Sequence, residues 1–143
     1  MRASGTRWLI AVALSASVGA MTVAGCGGSK DKPDPKAGES TAIRTVLHEL
    51  QKASIAGDGA LICNEVFTPK LANSVTRSAK SGSCAKEVRK NLFSPSTRLT
   101  VQAVSVADAA NGTATVKEAN GNTSTVFFVR QSGRWRIRGI QPA

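Results

Sequence analysis

The sequence predicts an α+β domain, with N-terminal helices packed on one face of an antiparallel sheet of about four strands. Three observations predict it. Apolar residues recur at helical spacing in the first part of the domain. From residue 98 onward, β-branched residues alternate with polar ones. Two short turn signals, Asn120-Gly121 and Ser132-Gly133, then divide that second part into hairpins.

The chain opens differently. Arg2 and Arg7 precede an uncharged run, "WLIAVALSASVGAMTVAG", of small and apolar residues. A basic start, an apolar stretch and small residues at the cut form the layout of a secretory signal peptide, expected over 1–25. The competing reading is an uncleaved membrane anchor. The uncharged run, Trp8 to Ser29, is 22 residues but weakened by Ser, Thr and Gly. Val23-Ala24-Gly25-Cys26 resembles the lipobox of bacterial lipoproteins. That resemblance implies cleavage before Cys26, thioether lipidation of its sulfur and acylation of the new amino terminus. The product would be held on the extracytoplasmic face of the cell membrane, because each buried CH₂ of the acyl chains contributes ~0.8 kcal/mol.

Residues 26–40 contain "GGSKDKPDPKAGES", with Gly, Ser, Pro, alternating charge and no large apolar side chain. Such a stretch cannot bury a core and is expected to be a flexible tether. The remainder, 41–143, has the length of one small domain.

Ser40 or Thr41 can cap the first helix, and Ile43, Val46, Leu47, Leu50 and Ala53 form its apolar stripe. Gly57 ends it. Asp58 caps a short second helix carrying Leu61, Ile62 and Cys63. Thr68-Pro69 starts a third, with a cap followed by proline at the first helical position. Gly82-Ser83 breaks the chain, and Cys84, Val88, Asn91 and Leu92 then share one face of a fourth. The strands follow as "TRLTVQAVSVAD", "GTATVKEA", "STVFFVRQ" and "RWRIRGI". With Ser132-Gly133 as a two-residue turn, Phe128 lies opposite Ile137. Phe127 then falls on the other face, joined by Val129 and Val116.

Three cysteines less a lipidated one leave Cys63 and Cys84. In an oxidising compartment an even remainder predicts a disulfide, here between two helices. No C-x-x-C or Cys/His cluster occurs, so neither a metal site nor a cofactor is expected.

A helix ending in "AGD", a short helix with "ICNEVFTP", a helix with a second cysteine and strands closing on "GRWRIRGI" together resemble the nuclear transport factor 2-like superfamily. The likeness spans about residues 41 to 141 and is closest to the small secreted or lipid-anchored members common in actinobacteria. It implies a cone, with a curved sheet wrapped around helices and often a pocket at the wide end. Some members are isomerases or polyketide cyclases; many act as binding or dimerisation modules without known catalysis.

The enzymes of that superfamily use pocket Asp, His or Tyr for proton transfer, and such groups must lie near substrate with a tuned pKa. Tyrosine is absent here, and His48, the sole histidine, lies opposite the apolar stripe of its helix. Asp58 is explained as a cap. Asp108 and Glu118 fall near strand ends, and Glu65 is the acid nearest Cys63. No catalytic residue is assigned.

The formal charge is +10, falling to +8 when Arg2 and Arg7 are removed. Period two places Arg134, Arg136 and Arg138 on one face of the last strand, with Trp135 and Ile137 on the other. The arginine row is either a solvated face or a contact for an anionic lipid, wall polymer or acidic protein. Nucleic acid is excluded by export and by too few aromatic side chains for a stacking platform. Three functions remain open: a membrane-tethered binding module with a small-ligand pocket or an anionic partner, a lipid-anchored isomerase- or cyclase-type enzyme, and a dimerising envelope protein.

Overall fold

The computed structural model describes residues 34–143. The expected signal peptide, the expected lipidation site Cys26 and the first part of the expected tether lie outside the described residues. Four helices precede four strands. Helix α1 spans Pro35–Ala56. Helix α2, Gly59–Leu61, continues as a π-turn over Ile62–Val66. Helix α3 spans Pro69–Ser78, and α4, Cys84–Glu87, continues as a second π-turn over Val88–Leu92. Strands β1 (Leu99–Val106), β2 (Asn111–Glu118), β3 (Thr123–Gln131) and β4 (Arg134–Pro142) form one antiparallel meander in sequence order.

Helix α1 begins earlier than the expected cap at Ser40 or Thr41, and residues 35–40 of the expected tether are helical. The Asp34 carboxylate accepts from the Lys36 N–H at 2.9 Å, and Pro35 occupies the first helical position. This pairing of an N-cap with proline satisfies a free N–H and presets φ for the first turn. Gly57 closes the helix in the left-handed region at φ 66°.

Both cysteine-bearing helices end alike. Each relaxes into a π-turn that delivers a phenylalanine: the Phe67 N–H reaches the Ile62 carbonyl, and the Phe93 N–H reaches that of Val88. The two rings then meet tilted, centroids 6.4 Å apart. The π-turn also redirects the end of α4. Val88 is fully buried, whereas Asn91 and Leu92 are exposed rather than facing the core with Cys84 and Val88. Cys63 and Cys84 form the expected disulfide, their Cα atoms 6.2 Å apart. Beside it α2 and α4 approach so closely that a Cβ on Gly59 would collide with the Ala85 carbonyl.

The sheet buries one face against the helices. Val116 and Ala114 of β2, Val126 and Phe128 of β3, and Trp135 and Ile137 of β4 meet Ile43, Leu47 and Leu50 of α1. The β3–β4 register is the expected one, Phe128 opposite Ile137. Ser132 and Gly133 both take positive φ, 50° and 78°, the requirement of a two-residue turn that follows the strand twist.

Val116 corrects the expected facing. It is buried on the core face opposite Ser124, not on the arginine face with Phe127. The β2–β3 loop has three residues, Ala119 to Gly121, closed between Glu118 and Asn122, with Gly121 at φ 90°. A two-residue Asn120-Gly121 turn would pair the strands one position over, and a slip of one residue exchanges the faces.

The staple between α2 and α4 gives a direct expectation. Replacing Cys63 and Cys84 together by Ala lowers unfolding stability by ~3 kcal/mol in the chain-entropy model. Urea unfolding of the oxidised protein and the double variant measures the difference.

Candidate anion-binding site

Strand β4 is an edge strand whose free side is closed locally by the segment that follows α2. Phe67 bridges Ile137 in parallel, and the Thr68 N–H donates to the Ile137 carbonyl at 2.8 Å. Thr68 then caps α3, its hydroxyl accepting from the Leu71 N–H. Helix α3 therefore starts at the edge of β4.

The three arginines of β4 have three different environments. The Arg134 guanidinium donates to Glu65 at 2.8 Å in a pair that is largely solvent-exposed and so contributes little to stability. Arg136 is mostly buried, with its side chain 18% exposed. It donates to the carbonyls of Asn64 and Phe67, at 2.6 and 3.1 Å. These are carbonyls at the end of the α2 π-turn, where helical partners run out, so Arg136 acts as a C-terminal cap. Arg138 sits over the Phe127 ring, 5.8 Å from its centroid. Among the described residues no carboxylate lies within ion-pair distance of Arg138.

Arg138 lines a surface groove of about 320 Å³ between α3 and the outer face of the sheet. Lys70, Leu71 and Ser74 of α3 form one wall, Val129, Gln131 and Arg138 the other, and Thr68 the end. Among the described residues no acidic side chain lines it. The other described depressions each contain at least one: Glu118 beside Lys90 and Arg98; Asp58 beside Lys86 and Arg89; Glu49 and Glu65 beside Arg134; Glu39 beside Arg130. The Lys70–Arg138 groove therefore holds uncompensated positive charge, and its hydroxyl and amide groups can complete the hydrogen bonding of an anion.

Several of the other titratable groups singled out from the sequence have structural partners. Asp58 caps α2 through the Leu61 N–H at 2.9 Å. His48 is exposed on α1. Glu118 accepts from the Asn120 amide. Glu65 bridges Arg134 and Arg136. Glu39, read from sequence as tether, clasps α1 to the β3–β4 hairpin. One of its carboxylate oxygens pairs with Arg130, and the other accepts from the Trp135 indole N–H, both at 2.6 Å. Asp34-Pro35 carries the same cap-and-proline signature as Thr68-Pro69 and was the signal for this early helix start. Lys70 had no comparable signal, because only the tertiary docking of α3 brings it to Arg138.

Comparison with family models, with curated proteins and with solved structures finds no match.

Asp108 organises the β1–β2 turn. The Ala110 N–H, donating to its carboxylate, lowers its pKa most, followed by the Asn111 side-chain amide, with a further contribution from the Asn111 N–H. The charged form is thus favoured by the folded turn. Its contribution is present above the unfolded pKa, about 3.9, and is lost as pH falls through the lower folded value. A carboxyl-carbon NMR titration should place the Asp108 midpoint below that of an unfolded-chain aspartate. A midpoint at or above it would contradict the hydrogen-bonded turn.

Proposed function

We propose that this chain is an exported lipoprotein, anchored at the extracytoplasmic face of the membrane through Cys26. In this reading its domain is a non-catalytic binding module of the nuclear transport factor 2-like cone type, and its partner is an anionic component of the envelope. The Cys63–Cys84 disulfide supports export, since such bonds persist in oxidising compartments. The order of helices and strands supports the cone. The space between helices and sheet is filled by Phe67, Phe128 and Ile137, each essentially inaccessible, so the surface rather than an interior pocket is the place for contact. The observation that carries the reading is the acid-free groove flanked by Lys70 and Arg138.

The test uses the full lipidated chain in zwitterionic nanodiscs, titrated calorimetrically with polyphosphate as the anionic probe. Basic groups facing an anionic surface contribute about 1 kcal/mol each. The double variant Lys70→Ala, Arg138→Gln should therefore weaken binding by about thirtyfold. Arg134→Gln, whose charge is already paired, should leave binding nearly unchanged. Equal losses in both variants, or no binding by the unaltered protein, would overturn the assignment.

A further inference from the structure

We propose that the free edge of β1 pairs antiparallel with β1 of a second copy, joining two sheets across a two-fold axis. An edge strand presents unpaired N–H and C=O groups, and proteins normally blunt it with lysine, proline, a bulge or a covering segment. The two edges of this sheet are treated differently. That of β4 is covered where Phe67 and Thr68 lie against Ile137. Among the described residues, that of β1 has a hydrogen-bond partner only at its start, where the Leu99 N–H donates to the Gln51 side chain at 3.0 Å.

From Leu99 to Ala107 the chain has no charge and no proline. Thr100, Gln102, Ala103 and Ser105 are exposed. Among the described residues the backbone of 100–106 has partners only on the β2 side. A register irregularity at Gln102 is the one blunting feature this strand carries. In a chain with an excess of ten positive charges, such a long uncharged edge is conspicuous.

The charges that flank the strand identify the occupant. Arg98 stands at one end and Asp108 at the other. Antiparallel self-pairing brings Arg98 of each copy alongside Asp108 of the other, with the two-fold axis near Ala103. Parallel pairing would instead set like charges side by side. The geometry is isologous, each copy offering the same patch, so it closes as a dimer. It leaves the Lys70–Arg138 groove free in both copies, because that groove opens beside β4 at the opposite edge. Two grooves on one assembly would bind a polyanion with the gain of linked sites.

The test introduces Ala103→Cys into the full chain in its native membrane and applies a mild thiol oxidant. Self-pairing predicts a reducible homodimer for Ala103→Cys and none for the exposed control Lys117→Cys on the neighbouring strand. Adding Arg98→Glu to Ala103→Cys sets acidic groups opposite each other and should cut the cross-linked fraction several-fold, while retention of the Cys63–Cys84 bond reports intact folding. Three results would each overturn the proposal: no dimer from Ala103→Cys, equal linking through Lys117→Cys, or linking to a different polypeptide.

Discussion

The hydrogen bond from the Thr68 N–H to the Ile137 carbonyl, 2.8 Å long, couples the helical half of the domain to the last strand. It forms where α2 has just ended in a π-turn and α3 has not yet begun. A backbone donor at this point would be costly to bury without a partner, because N–H groups removed from water lose their solvation. Thr68 and Phe67 are both buried, so the bond is required by the packing rather than added to it. Placing this segment on β4 closes that edge of the sheet and starts α3 beside the strand. The disulfide adds a covalent limit, holding the π-turned helix that leads into Phe67 against α4.

The distribution of charge follows from this junction. The carbonyls exposed at the end of α2 draw in Arg136, which becomes an internal cap. Glu65, on the same π-turn, compensates Arg134. Arg138 lies beyond both and rests on Phe127, facing α3. Three arginines at period two thus become a cap, a surface ion pair and a free cation. The row itself has little meaning as a unit. The groove lined by Arg138 and Lys70 is a depression where positive charge stands without a carboxylate beside it, and the edge of β1 lies at the opposite end of the sheet.

Local chemistry explains what the sequence made legible. The α1 stripe, the Asp58 and Thr68-Pro69 caps, the disulfide and the β3–β4 register all depend on residues close in the chain or on a small count of cysteines. Ser132-Gly133 specifies its register because both residues accept positive φ. Asn120-Gly121 is less decisive: Gly121 serves equally as the left-handed residue of a three-residue loop, and that choice moves Val116 from one face to the other. The start of α1 was legible in Asp34-Pro35 but obscured by the polar composition around it. The placement of Lys70 across a groove from Arg138, and of Glu39 against Trp135, was not legible, since both span the domain and arise only when the helices dock.

Hydrogen exchange at the Thr68 amide, followed by NMR on the oxidised protein, tests the central junction most directly. If this bond ties α3 to β4, the amide exchanges as slowly as those of Phe128 and Ile137 in the core strands. Exchange at the rate of the exposed Ser81–Gly82 turn would show that the β4 edge is open in solution, and the groove built upon it would have no fixed wall.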